Sequence, residues 1–474
     1  MSARSSINKS KNPFFDSINN PYGLFPLEHD YFIELAIQAR KDNSQNMHSP
    51  SHASAASHRI GFVSTRFDGT DGVSLETRKW AQVLERLGQS IYYFAGKSDQ
   101  PADVSFVVPE AHFLHKDVQA ISNISYRSST RPPEITQQIH ELRGYLKDRL
   151  YAFIKKYEIE LLIAENALSI PLNIPLGLAL AELIAETGIP VIGHHHDFFW
   201  ERKRFLMNCI GDYLEMAFPP RLPSIHHVVI NSLAAAEMGK RRGINVSVIP
   251  NVMDFDHPPD PPDAYTGSLR ADLGVGSDEY FFLQPTRPLQ RKGIEYAIEL
   301  IRRLDTSARL VISHAGGDEG GQYVEHVRTL AKLMDVRVSF VSDIIKMERG
   351  TTEAGHKIYT LGDVYASADL ITYPSLLEGF GNAFLEAVYH RRPIFINNYT
   401  IYSVDIKPKG FRTVDFTGFV TDETVKHVQK LLRDRAFAEE TTEHNYKLGQ
   451  QYYSFTVLEQ HLRVLLHSCF SRAR

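Results

Sequence analysis

Two glutamates, Glu378 and Glu386, stand on either side of a glycine-flanked turn, with seven residues between them. A hydrophobic strand at residues 369–373 precedes the turn, and an amphipathic helix follows it. The start of such a helix offers free backbone N–H groups and a positive dipole end, which suit a phosphate. Carboxylates do not bind phosphate, so the two glutamates are better placed to accept hydrogen bonds from sugar hydroxyls beside it. A pair of solvated acids is the alternative interpretation.

A short loop in the same half of the chain carries Arg287 and Lys292 between a strand and a helix. A departing nucleoside diphosphate gains negative charge as the glycosidic C–O bond breaks, so it needs positioned cations. Arginine offers a forked donor and lysine a point charge, and both suit phosphate oxygens. A solvated basic loop is the alternative, since Arg291 lies there too. The nearby glutamate motif favours the diphosphate site.

A predicted strand at residues 190–193 runs into His194, His195 and His196, with Asp197 next. Strand alternation places His194 and His196 on one face and His195 on the other. Three adjacent histidines cannot all converge on one ion, which disfavours a metal site. Core packing stays open as an interpretation, but the crowding of histidine, aspartate, tryptophan and arginine here favours the edge of an active site.

Two series of alternating strands and helices position these residues. In the first, a strand at residues 59–65, a loop containing Gly72, a helix at 74–87 and a strand at 90–95 form a βαβ unit. The second series starts with a strand at 280–285 and has its own glycine loops. The pattern predicts an α/β protein whose two Rossmann-like domains face each other across a cleft. The chain has no G-x-G-x-x-G motif, which disfavours a dinucleotide, and a tight turn is the alternative reason for the glycines.

Composition narrows the class of protein further. The 474 residues exceed one compact core, and the formal net charge of -4 argues against a nucleic-acid binder. Two cysteines fit a reducing cytoplasm, which is the expected location, and the first residues lack an apolar signal core. The most apolar stretch, at residues 170–183, is too short and interrupted to span a bilayer. We therefore expect no transmembrane segment.

Several strings resemble retaining glycosyltransferases of family 4, which have the GT-B fold. They are EGFGNAFLEA at residues 378–387, the arginine–lysine spacing described above, and VSVIPN at 246–251 followed by Asp254. The strings HHHDFFWER at 194–202 and PTRPLQRKGIE at 285–295 are similar to those of mannosylglucosylglycerate-synthase-type members. The resemblance covers about residues 59 to 470.

The resemblance implies a GT-B architecture with the following division of the chain. Residues 1–57 are an N-terminal extension and linker, 58–252 an acceptor-side Rossmann-like domain, 253–279 a linker, 280–450 a donor-side Rossmann-like domain, and 451–474 a helix crossing back to the first domain.

The implied activity is that of a retaining hexosyltransferase of the EC 2.4.1 type. It would move a hexose from a nucleotide sugar of the GDP-mannose or UDP-glucose type to a small hydroxyl acceptor. The basic run at residues 202–204 suggests an anionic acceptor, and a solvated charge run is the alternative. No metal site and no cofactor are expected, with magnesium at most a non-essential stimulant. Departures from the family pattern at 342–361, 390–393 and 397–402 leave the base and the sugar open.

The alternatives are a sugar-nucleotide epimerase of the same fold and a non-catalytic nucleotide-binding protein, and a homodimer stays open. The resemblance and the residue chemistry together assign individual roles. Catalytic roles fall to His196, Arg287, Lys292 and Glu378; donor contacts to Gly72, Arg287, Lys292, Ile344, Glu378, Gly379, Phe380, Gly381, Asn382 and Glu386; acceptor contacts to Asn166, His195, Asp197 and Arg202.

Overall fold

The computed structural model describes residues 57–69, 71–316 and 321–471. All of them fall in one compact unit, Ala56–Arg474. The predicted extension at residues 1–57 lies, except for Ser57, outside the described residues.

The first lobe is built on a seven-stranded parallel sheet in the order β3-β2-β1-β4-β5-β6-β7. Its strands are β1 Arg59–Val63, β2 Ser90–Ala95, β3 Ser105–Val107, β4 Leu161–Glu165, β5 Val191–His195, β6 Ile225–Val229 and β7 Ser247–Val248. Its helices are α1 Gly72–Arg86, α2 Lys116–Ser125, α3 Pro133–Tyr157, α4 Ile174–Thr187, α5 Gly211–Ala217 and α6 Ser232–Arg242. Strands β4 and β5 are buried along their whole length, as expected for a parallel sheet covered on both faces.

The second lobe has a six-stranded parallel sheet in the order β10-β9-β8-β14-β15-β16 and a small three-stranded sheet. The larger sheet contains β8 Tyr280–Gln284, β9 Ala308–Ile312, β10 Arg337–Phe340, β14 Leu370–Tyr373, β15 Ile394–Asn397 and β16 Val414–Phe416; the smaller contains β11 Ile345–Lys346, β12 Gly350–Thr351 and β13 Lys357–Thr360. The helices from the linker to the end of the described chain are α7 Leu269–Asp272, α8 Ile294–Arg303, α9 Gly321–Leu333, α10 Leu361–Ser367, α11 Asn382–Tyr389, α12 Asp422–Arg433, α13 Arg435–Tyr453 and α14 Phe455–Ser471. The predicted α/β class with two Rossmann-like domains is confirmed.

The small sheet accounts for the long connection at residues 342–361. Arg349 joins it to the rest of the lobe through Asp363 and Asp263, at 2.5 and 2.6 Å. The hydroxyl of Tyr265 donates to the carbonyl of Gly350 at 2.8 Å. The insertion is therefore fixed against the linker that precedes the second lobe.

The last helix returns to the first lobe. The N–H of Met253 donates to the carbonyl of Tyr453 at 2.9 Å, so the two passages of the chain between the lobes run side by side. Beyond that point α14 packs its apolar side against α1, with Leu458 and Leu462 in the same core cluster as Trp80. Within the described ranges no helix is long and apolar enough to cross a membrane.

Candidate active site

The carboxyl edges of the two sheets meet around the glycine-flanked turn at residues 378–381. Asn231 donates from Nδ2 to the carbonyl of Gly379 at 2.7 Å, which joins the end of β6 to that turn. A Cβ at Gly379 would lie 3.3 Å from the carbonyl oxygen of His196. A Cβ at Gly72 would lie 3.4 Å from the Nδ2 of Asn382. Residues predicted separately in the two halves of the chain therefore lie together between the lobes.

Gly381 gives the turn its shape. Its φ of 125° lies in a region that side chains disfavour, and a Cβ there would lie 2.3 Å from the Oη of Tyr399. That hydroxyl donates to the carbonyl of Phe380 at 2.6 Å. The ring of Phe380 is buried and packs edge-on against Tyr453, so a donor contact by Phe380 is restricted to its backbone. Helix α11 begins at Asn382 without a side-chain cap, which leaves its first N–H groups available to a ligand.

Lys292 and Glu378 form an ion pair in which each side chain is only about one-tenth exposed. Burial lowers the pKa of Lys292, and the charge of Glu378 opposes this. Burial also disfavours ionised Glu378, but the charges of Lys292 and Arg291 outweigh it and lower the pKa of Glu378. The lowered pKa keeps the carboxylate of Glu378 ionised, and its negative charge favours the ammonium form of Lys292 against the cost of burial. A hydrogen bond of 2.8 Å from the N–H of Leu376 to the carbonyl of Arg291 also joins the loop after β14 to the loop after β8.

Arg287 lies at the same end of the sheet but outside this pair. Its side chain is exposed, and within the described part of the chain it makes no hydrogen bond or ion pair. Burial first, then the charges of Arg287 and Lys292, lower the pKa of His314 to about 4. The structure thus brings Arg287 and Lys292 to one place, with Lys292 already paired and Arg287 open to a ligand.

Glu386 lies on the first turns of α11 and accepts a hydrogen bond of 2.7 Å from the hydroxyl of Tyr365. Burial raises the pKa of Glu386, opposed by that hydrogen bond and by the charge of Lys79 on α1. Ile344 is half-buried against the core of the second lobe, at the start of the inserted sheet. Its donor contact stays a prediction.

Glu165 at the end of β4 organises two of the three consecutive histidines. Its side chain is fully buried and lies 3.0 Å from the Nδ1 of His194 and 3.2 Å from the Nε2 of His196. The rings of His194 and His196 are 4.3 Å apart, which confirms that these two share a face. The three groups are close enough together to hold an ion, but hydrogen bonds account for the distances.

The prediction that His195 contacts the acceptor is wrong for the position that the structure gives it. The ring is fully buried, and its Nε2 lies 2.8 Å from the Nδ1 of His227. Alternation along β5 turns this side chain away from the face that carries His194 and His196. His195 is therefore a core residue.

The other predicted acceptor residues surround His196. Asn166 accepts from the N–H of His196 at 2.8 Å and donates to Asp197 at 3.1 Å. Arg202 donates from Nε to Asp197 at 2.6 Å, so the two charges are paired. These three residues form one hydrogen-bonded rim beside the histidine, and their acceptor contacts stay predictions.

A cavity of about 260 Å³ opens on the first lobe. It is formed by segments that follow β3, β4 and β5, and parallel strands place all three at the same sheet edge. The lining combines aromatic and apolar side chains with polar ones: Phe113, Leu114, Gln119, Ser122, Asn123, Tyr126, Pro171, Leu172, Arg204 and Phe205. The basic run at residues 202–204 was indicated by the sequence, whereas α2 contributes its part of the lining through tertiary packing.

Two site features escaped sequence analysis. Asn231 follows β6 and caps α6, a local role that does not reveal its hydrogen bond to the second lobe. Tyr399 lies in a segment whose departure from the family pattern was noted, but its support of the turn depends on the folded sheet.

The fold and the sequence of the chain are similar to those of known glycosyltransferases. A solved glycosyltransferase from Rickettsia africae superimposes with a TM-score of 0.62 over 88% of this chain and 99% of that one, at 13% identity. The mannosylglucosylglycerate synthase of Petrotoga mobilis is 35% identical over 382 residues, covering 75% of this chain and 86% of the relative. That of Thermotoga maritima is 30% identical over 435 residues, covering 85% and 98%. No family model matches the chain.

The fold and the relatives define a glycosyltransferase of the GT-B class. Within that class the chain belongs to the mannosylglucosylglycerate synthase family. The resemblance inferred from the short motifs is confirmed at both levels.

We expect Gly381→Ala to weaken donor binding and lower the melting temperature. The new methyl group combines an unfavourable φ with a clash against Tyr399, at a cost of roughly 1–3 kcal/mol for the backbone conformation alone. Gly418→Ala is the matched control, because its φ is 76° but nothing lies within 4 Å of the added carbon. Calorimetric titration with donor and thermal melts compare the two variants. Equal effects would contradict the importance of the Tyr399 contact.

Proposed function

We propose that the chain transfers a mannosyl group from a nucleotide sugar to a glucosylglycerate-like acceptor, with retention of configuration. The curated relatives are named for a product of that composition. The observation that carries the proposal is the placement of Lys292, Glu378 and Arg287 at the sheet edge opposite His196. These groups match the needs of a charged leaving group beside a polyhydroxyl ring.

The diphosphate is assigned to Arg287, Lys292 and the start of α11. As the C–O bond to the sugar breaks, the phosphate oxygen gains charge, and fixed cations stabilise it. Lys292 contributes because burial leaves it poorly hydrated and Glu378 holds it in place. Arg287 contributes a forked donor that is not committed to another side chain in the described residues.

The two sugars of the donor are assigned to the two glutamates. Glu386 accepts hydrogen bonds from ribose hydroxyls, and its raised pKa falls when those donors arrive. Glu378 and the amides of residues 379–381 contact the hydroxyls of the transferred sugar. His196 lies across the interlobe gap from Gly379, on the sugar side of this arrangement.

Transfer on the retained face follows a front-face route. The acceptor oxygen forms its bond to the anomeric carbon on the side from which the phosphate oxygen leaves, and the acceptor proton passes to that phosphate oxygen. The products are the glycoside, the nucleoside diphosphate and one proton. The nearby carboxylates are not disposed as nucleophiles, since Glu378 is paired with Lys292, Glu165 bonds two histidines and Asp197 is paired with Arg202.

The acceptor is assigned to the cavity on the first lobe. Aromatic side chains such as Phe113, Tyr126 and Phe205 suit the apolar face of a sugar ring, and Arg204 suits a carboxylate. We further propose that the transfer needs no metal, magnesium acting only as a non-essential stimulant, because the cations and the α11 terminus supply positive charge. No other cofactor is invoked.

The direct test is incubation of the full chain with UDP-, GDP- and ADP-sugars and with glycerate, glucosylglycerate and neutral sugars. We expect a mass gain of one hexose on the anionic acceptor and an anomeric NMR signal with the donor's configuration. Reactions with donor alone, and with a chelator, report epimerisation and metal dependence. An inverted product would refute the front-face route, and a new sugar nucleotide formed without acceptor would favour an epimerase.

Lys292→Ala should lower kcat on the order of 10²-fold, because it removes a positioned charge that acts as the leaving group departs. Lys147→Ala is the control, since Lys147 on α3 also pairs with glutamates, which belong to α4 and lie outside the site. Steady-state kinetics with saturating acceptor separate the two. A change in donor affinity without a change in turnover would instead indicate a binding role only.

Arg204→Gln should raise the KM of an anionic acceptor by about 10-fold, the scale of one lost charged hydrogen bond, and leave the KM of the donor unchanged. Lys203→Gln alters the neighbouring cation, which does not line the cavity. The comparison uses glucosylglycerate and its uncharged methyl ester. If Arg204→Gln affects both acceptors equally, the carboxylate lies elsewhere.

A further inference from the structure

The buried carboxylate of Glu165 has no assigned role in the reaction, although it contacts a residue of the site. It is one of the few fully buried acids among the described residues, and its two oxygens face two imidazoles. Buried carboxylates are costly unless they are paired and hydrogen-bonded. His194, stacked on Trp80 at 4.1 Å, and His196 provide that pairing.

The hydrogen bonds determine what the outer nitrogen of His196 can do. Its Nε2 faces Glu165 and donates to it, since an ionised carboxylate only accepts. Its Nδ1 has no hydrogen-bond partner among the described residues. The Nε2 of His194 is also without a partner but is enclosed by protein atoms, whereas the Nδ1 of His196 is not. In a neutral ring Nδ1 would accept a hydrogen bond, whereas in an imidazolium it donates one.

We propose that Glu165 is a positioning residue that fixes the ring of His196 and keeps it doubly protonated, so that Nδ1–H donates to an oxygen of the nucleotide sugar. This inference rests on the proposed function for the identity of the ligand. The site defined here is a carboxylate–imidazolium pair, in which the carboxylate never touches substrate.

The surrounding charges agree with this geometry. Burial opposes a charge on His196, but the hydrogen bond and charge of Glu165 outweigh it and raise the pKa of His196 above its usual value. Glu76 on α1 and Asp197 act in the same direction, and the second lobe presents uncharged Gly379. Burial lowers the pKa of His194, so this ring stays neutral and donates one proton to Glu165.

A raised pKa means that the imidazolium is present below that pKa and is lost as the pH rises through it. Activity should therefore fall on the alkaline side as His196 deprotonates. Without the carboxylate, the pKa of His196 drops and the fall begins at a lower pH.

The experiment compares Glu165→Gln with Glu279→Gln in the full chain, using kcat/KM for the donor as a function of pH. Glu279 is also a buried acid with two cationic partners, Arg309 and Arg337, but it precedes β8 at the opposite sheet edge. We expect Glu165→Gln to lower kcat by about 10-fold or more and to move the alkaline limb to lower pH. The profile of Glu279→Gln should keep its shape, and His196→Gln should lack the limb.

An unshifted limb in Glu165→Gln, whatever the loss of rate, would overturn the proposal. Imidazole NMR of the wild-type chain gives a second test that needs no turnover and no folded variant at position 165. The His196 signal, assigned by its absence in His196→Gln, should titrate above the ordinary value. Titration below it, or zinc bound stoichiometrically after metal-free purification and zinc addition, would refute the proton-holding role. Failure of every donor to react would refute only the proposed function.

Discussion

The buried ion pair of Lys292 and Glu378 is the interaction on which the site depends. Removing two charges from water is costly, so such a pair persists only where its geometry is fixed by the surrounding chain. Here the fixing comes from the bond between Leu376 and Arg291 and from the close passage of Gly293 against Pro374. The same contacts hold the loop after β8 and the turn before α11 at one sheet edge. The positive and negative groups are thereby in position before a ligand arrives, which reduces reorganisation during the reaction.

The first lobe completes this arrangement through hydrogen bonds to the second lobe. Asn231 reaches the carbonyl of Gly379, and Asn251 donates to the side chain of Asn382 at 2.6 Å. Ser232 donates from its backbone N–H to Asp405 at 2.8 Å. The two amide hydrogen bonds are neutral and individually modest, whereas the bond to the carboxylate of Asp405 is charge-assisted.

Much of the fold and of the turn at the site could be predicted from the sequence, because helix boundaries and turns depend on residues that are neighbours in the chain. Helix α6 begins after Asn231, which caps it, and ends before Gly243, and the glycine turn before α11 is indicated by its own residues. The burial of His195 could not be predicted, because alternation along a strand defines two faces but does not indicate which face packs into the core. The partnership of Glu165 with His196 and the inserted sheet at residues 345–360 arise from distant segments meeting. Local sequence propensity does not predict contacts between segments that are distant in the chain.

The return of α14 to the first lobe has a consequence for how the chain matures. Leu458, Leu462 and Leu465 complete the core that begins with Ile60 and Phe62, about four hundred residues earlier. A ribosome releases these segments in chain order. The lobe that is synthesised first is therefore completed late, and its apolar side stays exposed until α14 has been synthesised.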